Sequence, residues 1–460
     1  MLSNKEKKVA WIVPPLSEGG GGARTIIQNA DYLGKNGWQS DIYVDISSFN
    51  SKNIEKEITS NFGKCSCKIY SIDELKDDYN VMIATYSINT PDIVNNSTAK
   101  YKLYFIQDYE PYFAPMGYEY IARENTYSYG LNGISIGKWL THKLNKEYGM
   151  NMSYFPFCAD LNVYKPIHIQ KEDAICFIYQ PEKPRRCTDL GIQALRIVKK
   201  LRPNTKIYFY GSNQDIELDY SIDNLHLISL ADCNELYNKS TVGLCISASN
   251  PSRIPFEMMA SGLPVIDIYR DNNLYDYPND GVLLSLPTPD AIASALISVL
   301  DNEELQHSMS SSGISFMNDY PIDKGFIYFL EYMNNLDTLS NSKTEAMYSS
   351  EPFKASDITA KCYQEIINSN KLSITSSFFG KTTIEIKNVF SINKIKELRL
   401  ALWANIDQSD LSWYVFNYED NKYSLQLPKL DKSKKQNLHI YAVDENDNMY
   451  NIIKKEINPN

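Results

Sequence analysis

Two adjacent arginines, Arg185 and Arg186, stand between a strand-like apolar run and a helix-like run in the segment QPEKPRRCTDLG (180–191). A guanidinium group stays charged near neutral pH and can hydrogen-bond two oxygens of one phosphate group at once. The pair therefore predicts a cationic site for a diphosphate at the end of a strand. A solvated basic loop is the alternative interpretation.

Glu257 is an isolated carboxylate in an apolar, helix-like stretch, PFEMMASG (255–262). Burying a carboxylate without a partner is costly, so this position favours a ligand role over a place in the core. The preceding residues, SASNPSRIP, lead to the N-terminus of the helix, where free N–H groups and the helix dipole attract anions. A surface glutamate on an amphipathic helix is the alternative. The candidate binding residues here are Ser249, Arg253, Ile254, Pro255 and Glu257.

Four consecutive glycines separate the first strand-like run from the first helix-like run: Gly19, Gly20, Gly21 and Gly22. Glycine lets the backbone approach a ligand closely, and the following helix offers its free N–H groups. The spacing begins a dinucleotide-binding GxGxxG pattern, but Arg24 stands where the third glycine belongs. We therefore expect a loop beside a bound diphosphate or acceptor, with a tight strand–helix turn as the alternative.

Two carboxylates, Asp108 and Glu110, follow a strand-like run in QDYEPYF (107–113). Ligands bind at the carboxyl ends of strands in doubly wound sheets, so both are candidate catalytic groups. They could align an acceptor hydroxyl or stabilise developing positive charge, and bracing of a loop is an equal alternative. The five histidines are dispersed and no Asp-x-Asp triplet occurs, so the sequence predicts neither a histidine triad nor a bound metal.

The elements that must position these groups alternate between strand-like and helix-like patterns, which predicts two doubly wound, parallel α/β halves facing a crevice. The predicted strands are 7–14, 40–47, 79–86, 101–108, 173–179, 205–211, 225–230, 241–247 and 263–269. From residue 371, short alternating runs predict a small all-β, sandwich-like module. The predicted domains are 1–165, 166–335, a polar linker at 336–370 and the module at 371–460.

The charge and cysteine content of the chain limit the partners and the cell compartment that we expect for it. The net charge of −10 and the lack of a polybasic stretch argue against a nucleic-acid partner. The first 150 residues carry 16 Lys and Arg against 17 Asp and Glu, while residues 151–330 carry 14 against 22. The nearly neutral first half leaves peripheral membrane contact possible. Scattered cysteines and a charged N-terminus without an apolar signal segment predict a cytoplasmic protein with reduced thiols.

The run EMMASGLPV (257–265) resembles the signature of the retaining glycosyltransferases of family 4, although Ser249 stands where that family has its first glutamate. The chain is most similar to the WsaF-type rhamnosyltransferase branch, through YFIQDYEPYFAPMG (104–117), PEKPRRCTDLGIQALR (181–196) and NPSRIPFEMMASGLPV (250–265). Gln180 stands where an arginine is common. This resemblance covers residues 7–335 and implies the two-lobed GT-B fold.

The resemblance also implies a function. A nucleotide diphosphate sugar would be the donor, with rhamnose from dTDP-rhamnose as the best match, and a bacterial surface glycan or glycoprotein the acceptor. Transfer would retain the anomeric configuration without a metal cofactor. Glu257 would hold the ribose hydroxyls of the donor. Two alternatives stay open: a catalytically silent GT-B-like adaptor or chaperone of a true transferase, and a GT-B nucleotide-sugar epimerase.

The all-β module resembles the Bsp-like repeat of Gram-positive surface proteins. The similarity rests on aromatic and acidic positions along the predicted strands, namely Trp403, Asp410, Trp413, Tyr414, Tyr423, His439 and Tyr441. Such rings could form a face that contacts a glycan. Aromatic residues at alternating strand positions also commonly form a core, and this is the second interpretation.

Overall fold

The computed structural model describes residues 7–15, 21–45, 65–338, 367–376, 381–390, 395–419, 422–427, 434–445, 447 and 449–457. Within these ranges the chain forms two α/β lobes and an antiparallel β module. No helix in the described part of the chain is long and apolar enough to cross a membrane. Most of the predicted 336–370 linker, together with Gly19 and Gly20, lies outside the described residues.

The first lobe is a seven-stranded parallel sheet in the order β3-β2-β1-β4-β5-β6-β7. Its strands are nearly continuous apolar runs because helices cover both faces of a parallel sheet. The elements are β1 Lys8–Val13, α1 Gly21–Lys35, β2 Gln39–Val44, β3 Lys68–Ser71, β4 Val81–Ala84, α2 Thr90–Asn96, β5 Tyr101–Ile106, α3 Tyr118–Asn125, β6 Asn132–Ile136, α4 Lys138–Tyr148 and β7 Met152–Phe155.

The second lobe repeats this architecture with six parallel strands in the order β10-β9-β8-β11-β12-β13. Its elements are β8 Ala174–Ile178, α5 Thr188–Leu201, β9 Lys206–Tyr210, β10 Asp223–Asn224, α6 Leu230–Lys239, β11 Val242–Leu244, α7 Ile254–Ala260, β12 Val265–Ile268, β13 Val282–Ser285, α8 Pro289–Asp301, α9 Glu303–Asn318 and α10 Ile322–Asn334. The chain then returns to the first lobe, where the Phe329 ring of α10 contacts the rings of Trp11 and Phe105.

One predicted strand of this lobe, 225–230, is wrong. The strand there is only Asp223–Asn224, and a helix begins at Leu230. Ser229 and Asp232 form a capping box, in which each side chain accepts a hydrogen bond from the backbone N–H of the other residue. The apolar run LHLISL suggested a strand, but the Ser-x-x-Asp cap starts a helix at its end.

The β module is a sandwich of two four-stranded antiparallel sheets, ordered β14-β15-β19-β18 and β17-β16-β20-β21. Inward-facing leucine and isoleucine side chains of both sheets form one core. The strands are β14 Ile367–Ser376, β15 Thr382–Phe390, β16 Ile395–Trp403, β17 Ser412–Val415, β18 Asn417–Glu419, β19 Lys422–Leu427, β20 Gln436–Asp444 and β21 Met449–Ile457.

The module lies against the second lobe through α8. Residues 291–300 of this helix are all buried, as expected for a helix that is apolar on every side. Helix α5 contacts α8, and strands β14 and β15 of the module also lie against it. The module therefore lies against the second lobe through its first sheet, which contains both of these strands.

Candidate functional site

Asp108 connects the two lobes at the carboxyl ends of their sheets. It follows β5, and the residue is 7% exposed. One carboxylate oxygen accepts a hydrogen bond from the backbone N–H of Asn250 at 2.9 Å, and the other accepts from Ser249 Oγ at 3.0 Å. Arg185 Nε lies 3.2 Å from the same second oxygen. All three partners belong to the second lobe, so Asp108 is bound mainly across the crevice.

Arg185 and Arg186 have different environments, because the short 3-10 turn Pro184–Arg186 directs them apart. The guanidinium of Arg185 lies over the ring of Phe113 at 4.1 Å from the centroid and pairs with Asp108 at the crevice. Arg186 is buried within its own lobe and donates from Nη1 to Ser247 Oγ at 3.0 Å. Arg185 is therefore the arginine of the pair that faces the other lobe.

Glu257 is a buried carboxylate on the first turn of α7, 9% exposed. Burial raises its pKa, and the positive charges of Arg253 and Arg24 oppose that shift, as does the Tyr164 hydroxyl beside it. Arg24 belongs to α1 of the first lobe. Glu257 therefore lies where the two lobes meet, close to cationic side chains from both.

The glycine-rich turn reaches the same region. Helix α1 begins at Gly21, and the carbonyl oxygen of Gly22 accepts a hydrogen bond from Gln107 Nε2 at 3.1 Å. A Cβ at Gly22 would stand 3.3 Å from that nitrogen, whereas a Cβ at Gly21 would meet nothing within 4 Å. A side chain at Gly22 would thus be in tight contact with Gln107 beyond β5, and the backbone of Gly21 borders open space.

The segment before α7 supplies further crevice residues. Ser249 donates to Asp108, and Arg253 Nη1 lies 3.3 Å from Thr25 Oγ1 of α1. Pro255 is buried inside the second lobe, and Ile254 is half-buried at the start of α7. Ser249 and Arg253 therefore touch the first lobe directly, while Pro255 serves the packing of the helix.

Three residues that the sequence reading did not select also belong to the crevice. Asn250 donates from Nδ2 to the carbonyl oxygens of Gln107 and Ile136, at 3.0 Å each. Asn272 donates to the carbonyl oxygens of Ser247 and Ser249. The third is Arg24. The NPSRIP motif, which contains Asn250, is a sequence feature that could have identified this residue. No sequence feature marks Asn272, because asparagine is common in turns.

Two buried polar atoms near the crevice have no hydrogen-bond partner among the described residues, namely Asn250 Oδ1 and Asn272 Oδ1. Others of this kind, such as Trp38 Nε1 and Ser294 Oγ, lie elsewhere in the described chain. A buried polar atom without a hydrogen-bond partner is rare, because its desolvation is uncompensated. The two atoms near the crevice are therefore available to a polar ligand or to ordered water.

A second contact between the lobes involves Asp276. Its carboxylate accepts hydrogen bonds from the backbone N–H groups of Lys138, at 2.8 Å, and of Trp139, at the N-terminus of α4. Burial raises the pKa of Asp276 to about 6, and these backbone hydrogen bonds oppose the shift. Beside it, the rings of Phe157 and Phe256 stack at 4.6 Å. At this second contact the lobes are thus joined by hydrogen bonds, with stacked rings beside them.

Glu110 makes its hydrogen bonds within the first lobe, although its charge also acts on Arg185 of the second lobe. Its Oε2 accepts a hydrogen bond from the backbone N–H of Ser87 at 2.5 Å. Arg123, which donates to Ser87 Oγ and Tyr86 OH, supplies nearby positive charge. Burial raises the pKa of Glu110 from its ordinary value of 4.5 to about 7. This environment fits the loop-bracing alternative better than contact with an acceptor.

No cluster of three or more His, Cys, Asp or Glu side chains suited to a metal ion occurs among the described residues. The seven described cysteines are free thiols.

Replacing Glu110 with Gln should change the pH dependence of stability. Because the folded-state pKa is raised to about 7, the folded protein binds the Glu110 proton more tightly than the unfolded chain does. The resulting stabilisation of the fold is complete below pH about 4.5 and is lost as the pH rises through about 7. Relative to Glu110→Gln, the wild-type free energy of unfolding should fall by about 1–3 kcal/mol across this range. Urea unfolding between pH 4.5 and 7.5 measures it, with the exposed Glu119→Gln as control. Parallel curves for wild type and Glu110→Gln would contradict this assignment.

Residues 173–297 match the family described as WsaF, C-terminal domain. The O-antigen biosynthesis protein RfbC of Myxococcus xanthus is 25% identical over 320 residues, which is 66% of this chain and 25% of that protein. This chain thus spans about a quarter of the length of that curated relative.

Two solved structures share the architecture of the lobes. TarM superposes with a TM-score of 0.58 at 12% identity, covering 72% of this chain and 98% of TarM. HepE of Anabaena, in complex with UDP-glucose, gives a TM-score of 0.54 at 10% identity, covering 72% of this chain and all of HepE. The predicted fold class is therefore confirmed: the chain has a GT-B, glycosyltransferase-type fold of two Rossmann-like lobes, followed by an antiparallel all-β module.

Proposed function

We propose that this protein is a glycosyltransferase that moves a sugar from a nucleotide diphosphate donor to a glycan. The observation that carries the proposal is the arrangement at the crevice. A guanidinium from one lobe, Arg185, meets a carboxylate from the other, Asp108, and the buried Glu257 lies near Arg253 of its own lobe and Arg24 of the other. Cationic and hydrogen-bonding groups that converge from two lobes suit a diphosphate joined to a sugar and a ribose.

The second lobe would hold the donor. Arg185 would bind the diphosphate, and Glu257 would accept hydrogen bonds from the ribose hydroxyls. The glycine-rich turn at Gly21 and Gly22, which starts α1, would approach the diphosphate from the first lobe. Arg186 would act indirectly, because its Nη1 is bound to Ser247 in the interior of the lobe.

The chemistry would be departure of the nucleotide diphosphate and attack by an acceptor hydroxyl on the same face of the sugar. The bond between the anomeric carbon and the phosphate oxygen breaks, the new glycosidic bond forms, and the hydroxyl proton passes to the departing phosphate oxygen. Arg185 would stabilise the charge that develops on that oxygen, which is a preorganised electrostatic contribution. Asp108, opposite, would stabilise positive charge at the anomeric carbon. No step requires a metal ion.

Rhamnose from dTDP-rhamnose is the proposed donor sugar, and the acceptor is a bacterial surface glycan or glycoprotein. The resemblance to WsaF-type rhamnosyltransferases supports this choice, together with the match of residues 173–297. The O-antigen role named for RfbC supports a surface polysaccharide as the product. Two other functions would use the same fold: a catalytically silent adaptor and a nucleotide-sugar epimerase. Donor turnover that requires an acceptor separates transfer from both.

Donor binding should depend on Glu257. A thermal-shift screen of dTDP-rhamnose, UDP-glucose, UDP-GlcNAc and GDP-mannose identifies the donor, since a ligand of the folded state raises apparent stability by mass action. Glu257→Ala should weaken binding of that donor by about 1.5–3 kcal/mol, the scale of lost charge-assisted hydrogen bonds. Calorimetry measures it, with Glu235→Ala on the exposed face of α6 as control. Unchanged donor affinity in Glu257→Ala would show that Glu257 is not part of the donor site.

Arg185 should matter more for turnover than its neighbour. Arg185→Ala should lower kcat about 100-fold, the scale for loss of one preorganised charge donor, and Arg185→Lys should recover part of it. Arg186→Ala should mainly lower thermal stability, because Arg186 is buried within its lobe. Arg196→Ala, at an exposed ion pair, is the matched control. Full activity in Arg185→Ala, or inhibition by EDTA, would contradict the proposed mechanism.

We also propose that the first lobe contacts a membrane surface beside the crevice. Tyr112 of the Glu110–Phe113 turn and Met116, Tyr118 and Ile121 soon after it are exposed apolar side chains close together in sequence, and Tyr118 is 86% exposed. Exposed apolar side chains in such a group mark an interaction surface. The nearly neutral charge of residues 1–150 would not repel an anionic membrane.

Sedimentation with vesicles of phosphatidylethanolamine and phosphatidylglycerol tests this contact. The double variant Met116→Ser, Tyr118→Ser should lower the partition coefficient about tenfold or more, because each inserted side chain contributes about 1.5 kcal/mol or more. Leu227→Ser, which removes an exposed leucine of the second lobe, should bind as wild type does. Equal binding of all three proteins would exclude Met116 and Tyr118 as the contact.

A further inference from the structure

The second sheet of the β module carries a row of aromatic rings on its outer face, formed by Trp403, His439, Tyr441 and Trp413. Consecutive ring centroids lie 4.6, 6.4 and 5.4 Å apart in that order. Inward-facing neighbours on β16 and β20, such as Leu400 and Ile440, form the core instead. The row therefore lies on the outer face of its sheet, whereas Tyr414 and Tyr423 pack against the core, as the second interpretation expects.

The strand register explains why the row is continuous. Ala401 of β16 pairs with Trp413 on one side and with His439 on the other. Its methyl group is 2% exposed, so the side chains around it cover it. Ala401 is thus a small residue covered by its neighbours, and Trp413, at the end of the row, is 49% exposed.

Hydrogen-bonding groups lie within the row as well as around it. Asn437 pairs with Trp403, and Lys454 pairs with His439, so both side chains extend from the same face as the rings. Burial and the charge of Lys454 lower the pKa of His439, so its imidazole is neutral near pH 7 and offers one donor and one acceptor nitrogen. The face combines flat apolar surfaces with closely spaced polar groups.

We infer that this aromatic row binds a carbohydrate chain of several consecutive sugar rings. A pyranose has one apolar face of C–H groups and a rim of hydroxyls, and it therefore matches flat rings that alternate with donors and acceptors. A purely apolar partner would leave Asn437, His439 and Lys454 without hydrogen bonds, at a cost in desolvation. The chemistry of the face therefore favours a glycan over another protein surface.

The position of the sheet gives the row its role. Strands β14 and β15 of the other sheet lie against α8 of the second lobe, which fixes the module next to the proposed donor lobe. The row belongs to the sheet that does not contain these two strands, so it would hold a glycan outside the crevice and raise its effective concentration there. This inference deepens the proposed function and rests on it for the identity of the occupant, since the glycan held would be the acceptor.

The test measures binding by the full-length protein without a nucleotide sugar, so a failure of transfer does not affect it. The probes are cellohexaose, chitohexaose and maltohexaose, titrated by calorimetry and by tryptophan fluorescence. Trp11, Trp38 and Trp139 are buried, so a change in emission reports Trp403 and Trp413. At least one hexasaccharide should bind and shift the emission. The absence of binding by all three would overturn the inference.

Variants locate the site. Trp413→Ala should weaken hexasaccharide binding about tenfold, the scale of one lost ring contact, and Trp413→Phe should restore most of it. Tyr418→Ala, at an exposed ring on the other sheet, should leave affinity unchanged. Equal affinity of wild type and Trp413→Ala would overturn the inference. Light scattering adds a further outcome: a dimer abolished by Trp413→Ala would show that the face binds a second copy of the chain instead.

Discussion

The buried charge of Asp108 is the constraint on which the junction of the two lobes depends. A carboxylate on a residue that is 7% exposed must be paired or hydrogen-bonded, because an isolated buried charge is unstable. Its own lobe supplies one hydrogen bond, from the backbone N–H of Tyr109 at 2.9 Å. The second lobe supplies hydrogen bonds from Ser249 and Asn250 and an ion pair with Arg185. The Asp108 carboxylate, at the edge of the first sheet, is therefore fully paired only when the two lobes are in contact.

The same constraint gives a physical reason for Ser249, the position at which the sequence departs from the family 4 pattern. The Ser249 hydroxyl donates a hydrogen bond to Asp108 at 3.0 Å. A glutamate in its place would bring a second negative charge against a buried carboxylate, and such pairs repel unless one group takes up a proton. A neutral serine at this position avoids that repulsion with Asp108. Its presence is not by itself a sign of a degraded site.

Several features could be predicted from the sequence because they depend on local patterns. The apolar strand runs predicted both parallel sheets, and the strand ends followed by Arg185 and Asp108 lie at the edge where the two lobes meet. The pairing of Asp108 with Asn250 could not be predicted, since it joins residues far apart in sequence and depends on how the lobes meet. The unequal roles of Arg185 and Arg186 arise from a 3-10 turn whose direction no periodicity shows. The exposure of Trp413 likewise depends on which face of its sheet the core occupies.

The pairing of Arg185 with Asp108 also bears on how a donor would enter. Burial lowers the pKa of Arg185 and the charge of Asp108 opposes the shift, so each group compensates the other in the absence of a ligand. A diphosphate carries more negative charge than one carboxylate and can accept two hydrogen bonds from a guanidinium. Binding would therefore draw Arg185 towards the diphosphate and leave Asp108 with Ser249 and Asn250. The carboxylate would then face a reacting sugar with its negative charge less compensated, which is the state that best stabilises positive charge at the anomeric carbon.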